Sequence, residues 1–201
     1  MAIAVITLAG CSGNTVAGNP TPNSGSTPST SAPSSSSAED APSVQNPLPA
    51  KVLDGSPCDT ALTTADVTKF IGNSTPAKPD EDPTGNICFW HNLAGDNASL
   101  GVTYQTKADG ALRLAYKNVK PSAARWDVLQ PIQGYPAVGY LAAGDDPANK
   151  SQCHVVVGIS DHLAYSVDMT LSDTATQKGI DPCDAGRNVA DQVLTNIKAR
   201  T

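Results

Sequence analysis

Leu163-Ala164-Tyr165-Ser166-Val167-Asp168-Met169-Thr170-Leu171 alternates large apolar side chains with small or polar ones at every step. A period of two is the pleat of a β-strand, so Leu163, Tyr165, Val167, Met169 and Leu171 share one face, and Ala164, Ser166, Asp168 and Thr170 the other. Such a strand belongs in an antiparallel sheet with one side on a core and one toward water. Just upstream, Val155 to Ile159 is an apolar run of the kind found in buried strands, and Ser160-Asp161-His162 turns it back on Leu163. This hairpin makes the fold class an antiparallel β-sheet.

Working outward, the chain supplies more of the same and two helices to cover it. A last helix is expected from about Cys183 to Ala199, with Val189, Val193 and Ile197 at four-residue steps and Lys198 and Arg200 at its end, where cations suit the dipole. Toward the N-terminus, Trp126, Val128 and Ile132 suggest a strand interrupted near Pro131 that leads into Gly134-Tyr135-Pro136-Ala137 and Val138. Ile87-Cys88-Phe89-Trp90 and Leu100, Val102 and Tyr104 form a hairpin about Gly95-Asp96-Asn97. Between the hairpins, helical angles gather Leu112, Ala115, Tyr116 and Val119 on one side and Arg113, Lys117 and Lys120 on another, up to Pro121. A first helix is expected over Thr64 to Ile71, with Thr63 as N-cap, Asp66 as its acidic partner and Gly72 as its stop. The stretch through Pro76, Pro79, Asp80, Glu81, Asp82 and Pro83 is too proline-rich for a central strand and reads as a solvated acidic loop, since its carboxylates lack the spacing of a calcium loop. The expectation is an α+β domain over residues 51–201: an antiparallel sheet of about five strands, N- and C-terminal helices packed on it, and two disulfides. About 150 residues suffice for one domain burying roughly 68 to 70% of its unfolded surface.

Five cysteines occur in the chain. In an oxidising compartment two disulfides would leave one over, and Cys11 is that one, because Cys58, Cys88, Cys153 and Cys183 all fall inside the domain. Four cysteines allow three pairings. Loop entropy does not choose among them: it gives about 3.7 kcal/mol for either short loop and about 5 for a Cys58 to Cys183 link. The arrangement that staples each helix end to an adjacent strand, Cys58 with Cys88 and Cys153 with Cys183, is favoured. No C-x-x-C occurs, so no metal or cofactor is expected.

Leu8-Ala9-Gly10-Cys11 follows an apolar run and looks like a bacterial lipobox, in which the cysteine is lipidated and becomes the mature N-terminus. Nothing basic precedes Cys11, and the apolar run is short for a signal-peptide core, so the true start is expected upstream. Residues 1–11 thus read as a signal-peptide remnant. Ser12 to Ala50, dominated by Ser, Thr, Pro, Gly and Asn, reads as a disordered linker with a reach of roughly 35 Å. The predicted location is the extracytoplasmic face of the cell membrane, through a lipid anchor.

With those residues in view, the chain resembles an actinobacterial lipoprotein family defined by a domain of unknown function, family 3558. The resemblance rests on Pro57-Cys58-Asp59 before Leu62-Thr63, Cys88 two before Trp90, Gly134-Tyr135-Pro136-Ala137, Cys153 on a strand, and Pro182-Cys183-Asp184-Ala185 opening the last helix. It implies an exported, lipid-anchored protein with two disulfides, and no catalytic residues.

The common catalytic signatures are absent: no G-x-S-x-G, S-x-x-K, H-E-x-x-H or P-loop. His91, His154 and His162 are unclustered and read as structural or solvent-exposed, and Trp90 and Trp126 as core residues. Thirteen Lys and Arg against nineteen Asp and Glu give a net charge of −6, which argues against nucleic acid as a partner. Within that acidic chain Lys107, Arg113, Lys117, Lys120 and Arg125 form a local basic run, a candidate docking surface for an anionic envelope polymer, a lipid headgroup or a protein partner. The leading expectation is a non-enzymatic binding or accessory module of the cell envelope. An envelope enzyme with an unrecognised site and a passive wall lipoprotein are the alternatives.

Overall fold

In the computed structural model, which describes residues 41–200, the segment Ala164–Thr170 is the central strand of a seven-stranded sheet. The strands are β1 (Lys78–Asp82), β2 (Gly85–His91), β3 (Ser99–Gln105), β4 (Arg125–Ile132), β5 (Tyr135–Leu141), β6 (Gln152–Gly158) and β7 (Ala164–Thr170). Their spatial order is β1-β2-β3-β7-β6-β5-β4, and every neighbouring pair is antiparallel. Two meanders are therefore joined side by side through β3 and β7. The chain crosses from the middle of the sheet to its far edge between β3 and β4.

The helices are α1 (Pro57–Thr60), α2 (Thr64–Ile71), α3 (Ala111–Leu114), α4 (Asp173–Gln177) and α5 (Pro182–Lys198). On one face of the sheet α5 buries Val189, Val193, Leu194 and Ile197 against β6 and β7. It comes close because Gly186 has no side chain: a Cβ there would stand 2.9 Å from Val155 Cγ2. Tyr165, fully buried, donates from its hydroxyl to the Ala190 carbonyl at 2.7 Å, so the helix axis is also fixed by a hydrogen bond. α2 adds Val67 and Ile71 to the same core. It begins with a full capping box, Thr63 accepting from the Asp66 N–H and Asp66 accepting from the Thr63 N–H. Asn196 of α5 donates to both Asp66 and the Ala61 carbonyl, tying the two helices together. Cys58 in α1 is bonded to Cys88 on β2, and Cys153 on β6 to Cys183 in the first turn of α5.

Three expectations are corrected. The sheet has seven strands rather than about five. The acidic stretch Lys78–Asp82 is not a loop but an edge strand, a position that tolerates Pro79 because its outer side needs no ladder donor. Tyr135–Leu141 is a strand of its own, turned back on β4 at Gln133 (φ 50°) and Gly134 (φ 88°). Second, the amphipathic helix expected before Pro121 is one α-turn, α3, followed by a π-turn over Ala115–Val119. Its Leu112 and Tyr116 pack with Val138, Val156 and Ala164 on the other face of the sheet, so the small-residue side of β7 is partly covered. Third, the domain starts before residue 51. Leu48 N–H donates to the Ile159 carbonyl (2.9 Å), Val44 N–H to Asp161 Oδ1 (3.1 Å), and the Tyr135 hydroxyl to the Asn46 carbonyl (2.9 Å). Val44 and Leu48 pack against the core. Local composition misses such a strap because its few apolar residues are held by strand ends far away in sequence. Cys11 and linker residues 12–40 lie outside the described residues.

Candidate binding face

Antiparallel register turns residues far apart in sequence into a straight row. On the face opposite α5, the register aligns one residue from each of six strands: Phe89 with Gly101, Gly101 with Asp168, Asp168 with His154, His154 with Tyr140, and Tyr140 with Trp126. Gly101 leaves a notch in the row. A Cβ there would lie 3.0 Å from Phe89 Cε1 and 3.1 Å from Asp168 Oδ2, so the Phe89 ring and the Asp168 carboxylate share the space above the glycine. His154 and Tyr140 stack with ring centres 5.2 Å apart and planes 24° from parallel; Tyr140 and Trp126 follow at 6.2 Å and 22°. Tyr116 of the π-turn meets Trp126 edge-on at 5.1 Å and closes that end. At the other end His91 stacks on Phe89. The row is half-buried along most of its length, with Trp126, Tyr140, His154, Asp168 and Phe89 all reaching the surface.

Its electrostatics centre on one pair. His154 Nδ1 is 2.6 Å from Asp168 Oδ1. That hydrogen bond raises the His154 pKa above its ordinary value, against burial, which lowers it. Burial, with the charges of Asp168 and Asp82, pushes the Tyr140 phenol up to about 12, so it stays protonated. The carboxylate selects the Nδ1–H form of neutral His154 and leaves Nε2 as the acceptor. Among the described residues no hydroxyl or thiol bonds to His154, and no group of three His, Cys, Asp or Glu is placed to hold a metal ion. Trp126 Nε1 is buried without an acceptor.

The pair makes stability depend on pH. A histidine whose folded pKa is raised contributes its stabilisation fully below the unfolded value of about 6.5, and loses it as pH rises through the folded pKa. His154→Gln is therefore expected to be most destabilising near pH 5.5 to 6 and progressively less so toward about pH 9. Urea midpoints of both proteins across that range test this; a gap that is constant or widens with pH contradicts it.

The five basic residues do not make one patch. Arg125 faces the α5 side of the sheet, where it bonds Asp127 (2.6 Å) and Asp181 (2.8 Å). Lys107 pairs with Glu81 of β1 at 3.2 Å. Arg113 donates to the Asp161 carbonyl, and Lys120 lies 5.2 Å over the Tyr116 ring. Arg113, Lys117 and Lys120 share the segment from α3 through the π-turn, whose other side packs on Val138, Val156 and Ala164. His162 and Asp109 form a separate exposed pair at 2.7 Å. Trp90 is buried, whereas Trp126, expected in the core, ends the half-open row. Beside β1, Ser56, Pro79, Asp80, Glu81, Asn86 and Ile87 line an open depression of about 360 Å³. No helix among the described residues is long and apolar enough to cross a membrane.

Asp168, His154 and Tyr140 stand fourteen residues apart in succession and carry no linear motif. The only signal they leave is that each occupies an even-numbered strand position, which has no meaning until the register is known. A family model described as a protein of unknown function (DUF3558) matches residues 6–196. No curated protein and no solved structure is detectably similar to the chain.

Proposed function

The chain belongs to the DUF3558 family of proteins of unknown function, and from that premise we propose that it is an exported lipoprotein that works as a binding module of the cell envelope. Cys11 is the anchor, residues 12–40 are the tether, and the folded domain presents the row from Phe89 to Trp126 to an envelope ligand or protein partner. The observation that carries the binding role is the row itself: five half-exposed side chains, four of them aromatic rings, aligned across the sheet face not taken by α5. Aromatic side chains with polar neighbours bind well because they offer large area at little rotamer cost. The alternative of an envelope enzyme is favoured by one feature, the His154–Asp168 pair, which would serve as a general base through Nε2.

Two measurements test the proposal. Cys11→Ser is expected to move the protein from the membrane to the soluble extracytoplasmic fraction, since acylation supplies about 0.8 kcal/mol per buried methylene; unchanged membrane retention overturns the anchor. A photo-crosslinking residue at position 91, beside Phe89, is expected to capture a discrete partner in intact cells. Capture equal to that of the same probe at the exposed Asn188 of α5, on the opposite side of the sheet, overturns the binding role.

A further inference from the structure

The two disulfides stand in different surroundings. Cys153 on β6, with a strand on either side, and Cys183 in the first turn of α5 are each 1% exposed. Cys58–Cys88 lies one strand in from the β1 edge, since Cys88 pairs with Pro79 on one side and Val102 on the other. Cys88 is 0% exposed, but Cys58, in the four-residue α1, reaches the surface, the only cysteine among the described residues to do so. The open depression of about 360 Å³ beside β1 is bounded by neighbours of this bridge. Ser56 accepts from the Cys58 N–H at 3.1 Å, Pro79 is the register partner of Cys88, and Ile87 directly precedes it. Asp80 and Glu81 make the depression acidic.

We infer that Cys58–Cys88 is an exchangeable disulfide, open to a dithiol reductant whose attacking thiol sits on a positively charged surface. Thiol–disulfide exchange needs access to one sulfur, and access here selects Cys58. A thiolate of the reductant attacks Cys58 Sγ; the S–S bond breaks, and its electron pair leaves with Cys88 Sγ, which takes up a proton. The second thiolate of the reductant then attacks the reductant's own sulfur in the mixed disulfide and displaces Cys58, which is protonated in turn. The protein bridge gains two electrons and two protons, and the dithiol becomes a disulfide. Burial disfavours the departing Cys88 thiolate and slows the first step. It does the same at the second bridge, where both sulfurs are also closed to attack, so the structure sets the ratio between the two bridges. Charge selects the attacker. Asp80 and Glu81 repel a thiolate that approaches through the depression, Lys107 offsetting Glu81 in part, and positive charge around the thiol cancels that repulsion. Opening the bridge leaves other ties in place: α1 keeps the hydroxyl contact of Thr60 with Tyr104 at 2.9 Å, and Cys153–Cys183 still pins α5. The inference depends neither on the row nor on lipidation of Cys11.

The test uses the full chain with Cys11→Ser, so that no free thiol competes, and follows reduction by dithiothreitol through alkylation and peptide mapping. Cys58–Cys88 is expected to open at least about tenfold faster than Cys153–Cys183, at a rate linear in thiol concentration and with circular dichroism unchanged. Loss of both bridges together, or a rate that levels off at the unfolding rate as thiol is raised, overturns the inference, because access then comes only from unfolding. The cationic thiol cysteamine is next compared with the anionic 2-mercaptoethanesulfonate at equal thiolate concentration and low salt. Its advantage on Cys58–Cys88 is expected to exceed its advantage on the neutral disulfide of 2-mercaptoethanol by about two- to fivefold. Asp80→Asn with Glu81→Gln should remove that excess. No excess in the parent, or one that persists in the variant, overturns the assignment of a positively charged partner.

Discussion

Replacing Cys153 and Cys183 together by alanine is expected to lower the unfolding free energy by about 3.7 kcal/mol through loop entropy alone. The bridge closes a loop of 30 residues, as does the Cys58–Cys88 bridge, so that contribution is the same for both. Their surroundings separate them. Cys153 and Cys183 are both buried, and Gly139 of β5 packs directly beneath them: a Cβ there would stand 3.0 Å from one sulfur and 3.2 Å from the other. Removing these sulfurs leaves space that neighbouring strands cannot readily fill, which adds a cavity cost. Cys58 is only half-buried and sits in a four-residue helix that can shift. The Cys153/Cys183 double variant should therefore be the less stable of the two. For a domain of this size about 3.7 kcal/mol corresponds to a fall in melting temperature of roughly 7 to 15 °C. Thermal and urea unfolding without reductant measure it, and a Cys153/Cys183 variant as stable as the parent contradicts the assignment of a stabilising role.

Gly101→Val should damage the candidate binding face more than the rest of the fold. The valine would enter the space held by the Phe89 ring and the Asp168 carboxylate, at separations of 3.0 to 3.2 Å already for its Cβ. Overpacking of this kind costs about 1 to 3 kcal/mol. The β-branched side chain suits a strand better than glycine does, which offsets part of that cost. The local consequence is larger, because Asp168 must swing away and its 2.6 Å bond to His154 is lost. The raised pKa of His154 depends first on that bond, so its titration, followed by NMR, is expected to fall to or below the ordinary histidine value of about 6.5. Capture of a partner through position 91 should fall with it. Gly101→Ala serves as the graded control, since a single methyl needs only a small displacement of the ring. A His154 titration unchanged in Gly101→Val would show that Asp168 is not held as the row implies.

How much could be read without coordinates follows from what is local. The capping box of Thr63 and Asp66, the stop at Gly72, the inward step of Val189, Val193 and Ile197, and the alternation of Leu163 to Leu171 each depend on neighbours within a turn or a pleat, and all are present in the fold. The acidic edge strand was not legible, because Lys78-Pro79-Asp80-Glu81-Asp82 has no apolar period and is a strand only by pairing with β2. Nor was the strap through Val44 and Leu48, whose hydrogen bonds reach Ile159 and Asp161. The basic run shows the opposite error: Lys107, Arg113 and Arg125 lie within nineteen residues in the chain, yet their side chains bond to Glu81, Asp161 and Asp181 in different parts of the fold.

By itself, then, the sequence determined that this is an antiparallel α+β domain, where its two main helices start and stop, and which face of β7 enters the core. Those properties follow from periodicity and capping, which act over a few residues. Tertiary structure alone decided that Phe89, Asp168, His154, Tyr140 and Trp126 form one row, and that Gly101 makes room for its carboxylate. The reason is register: residues far apart in the chain become neighbours only when strands pair, and a slip of one position would have sent every member of the row to the other face.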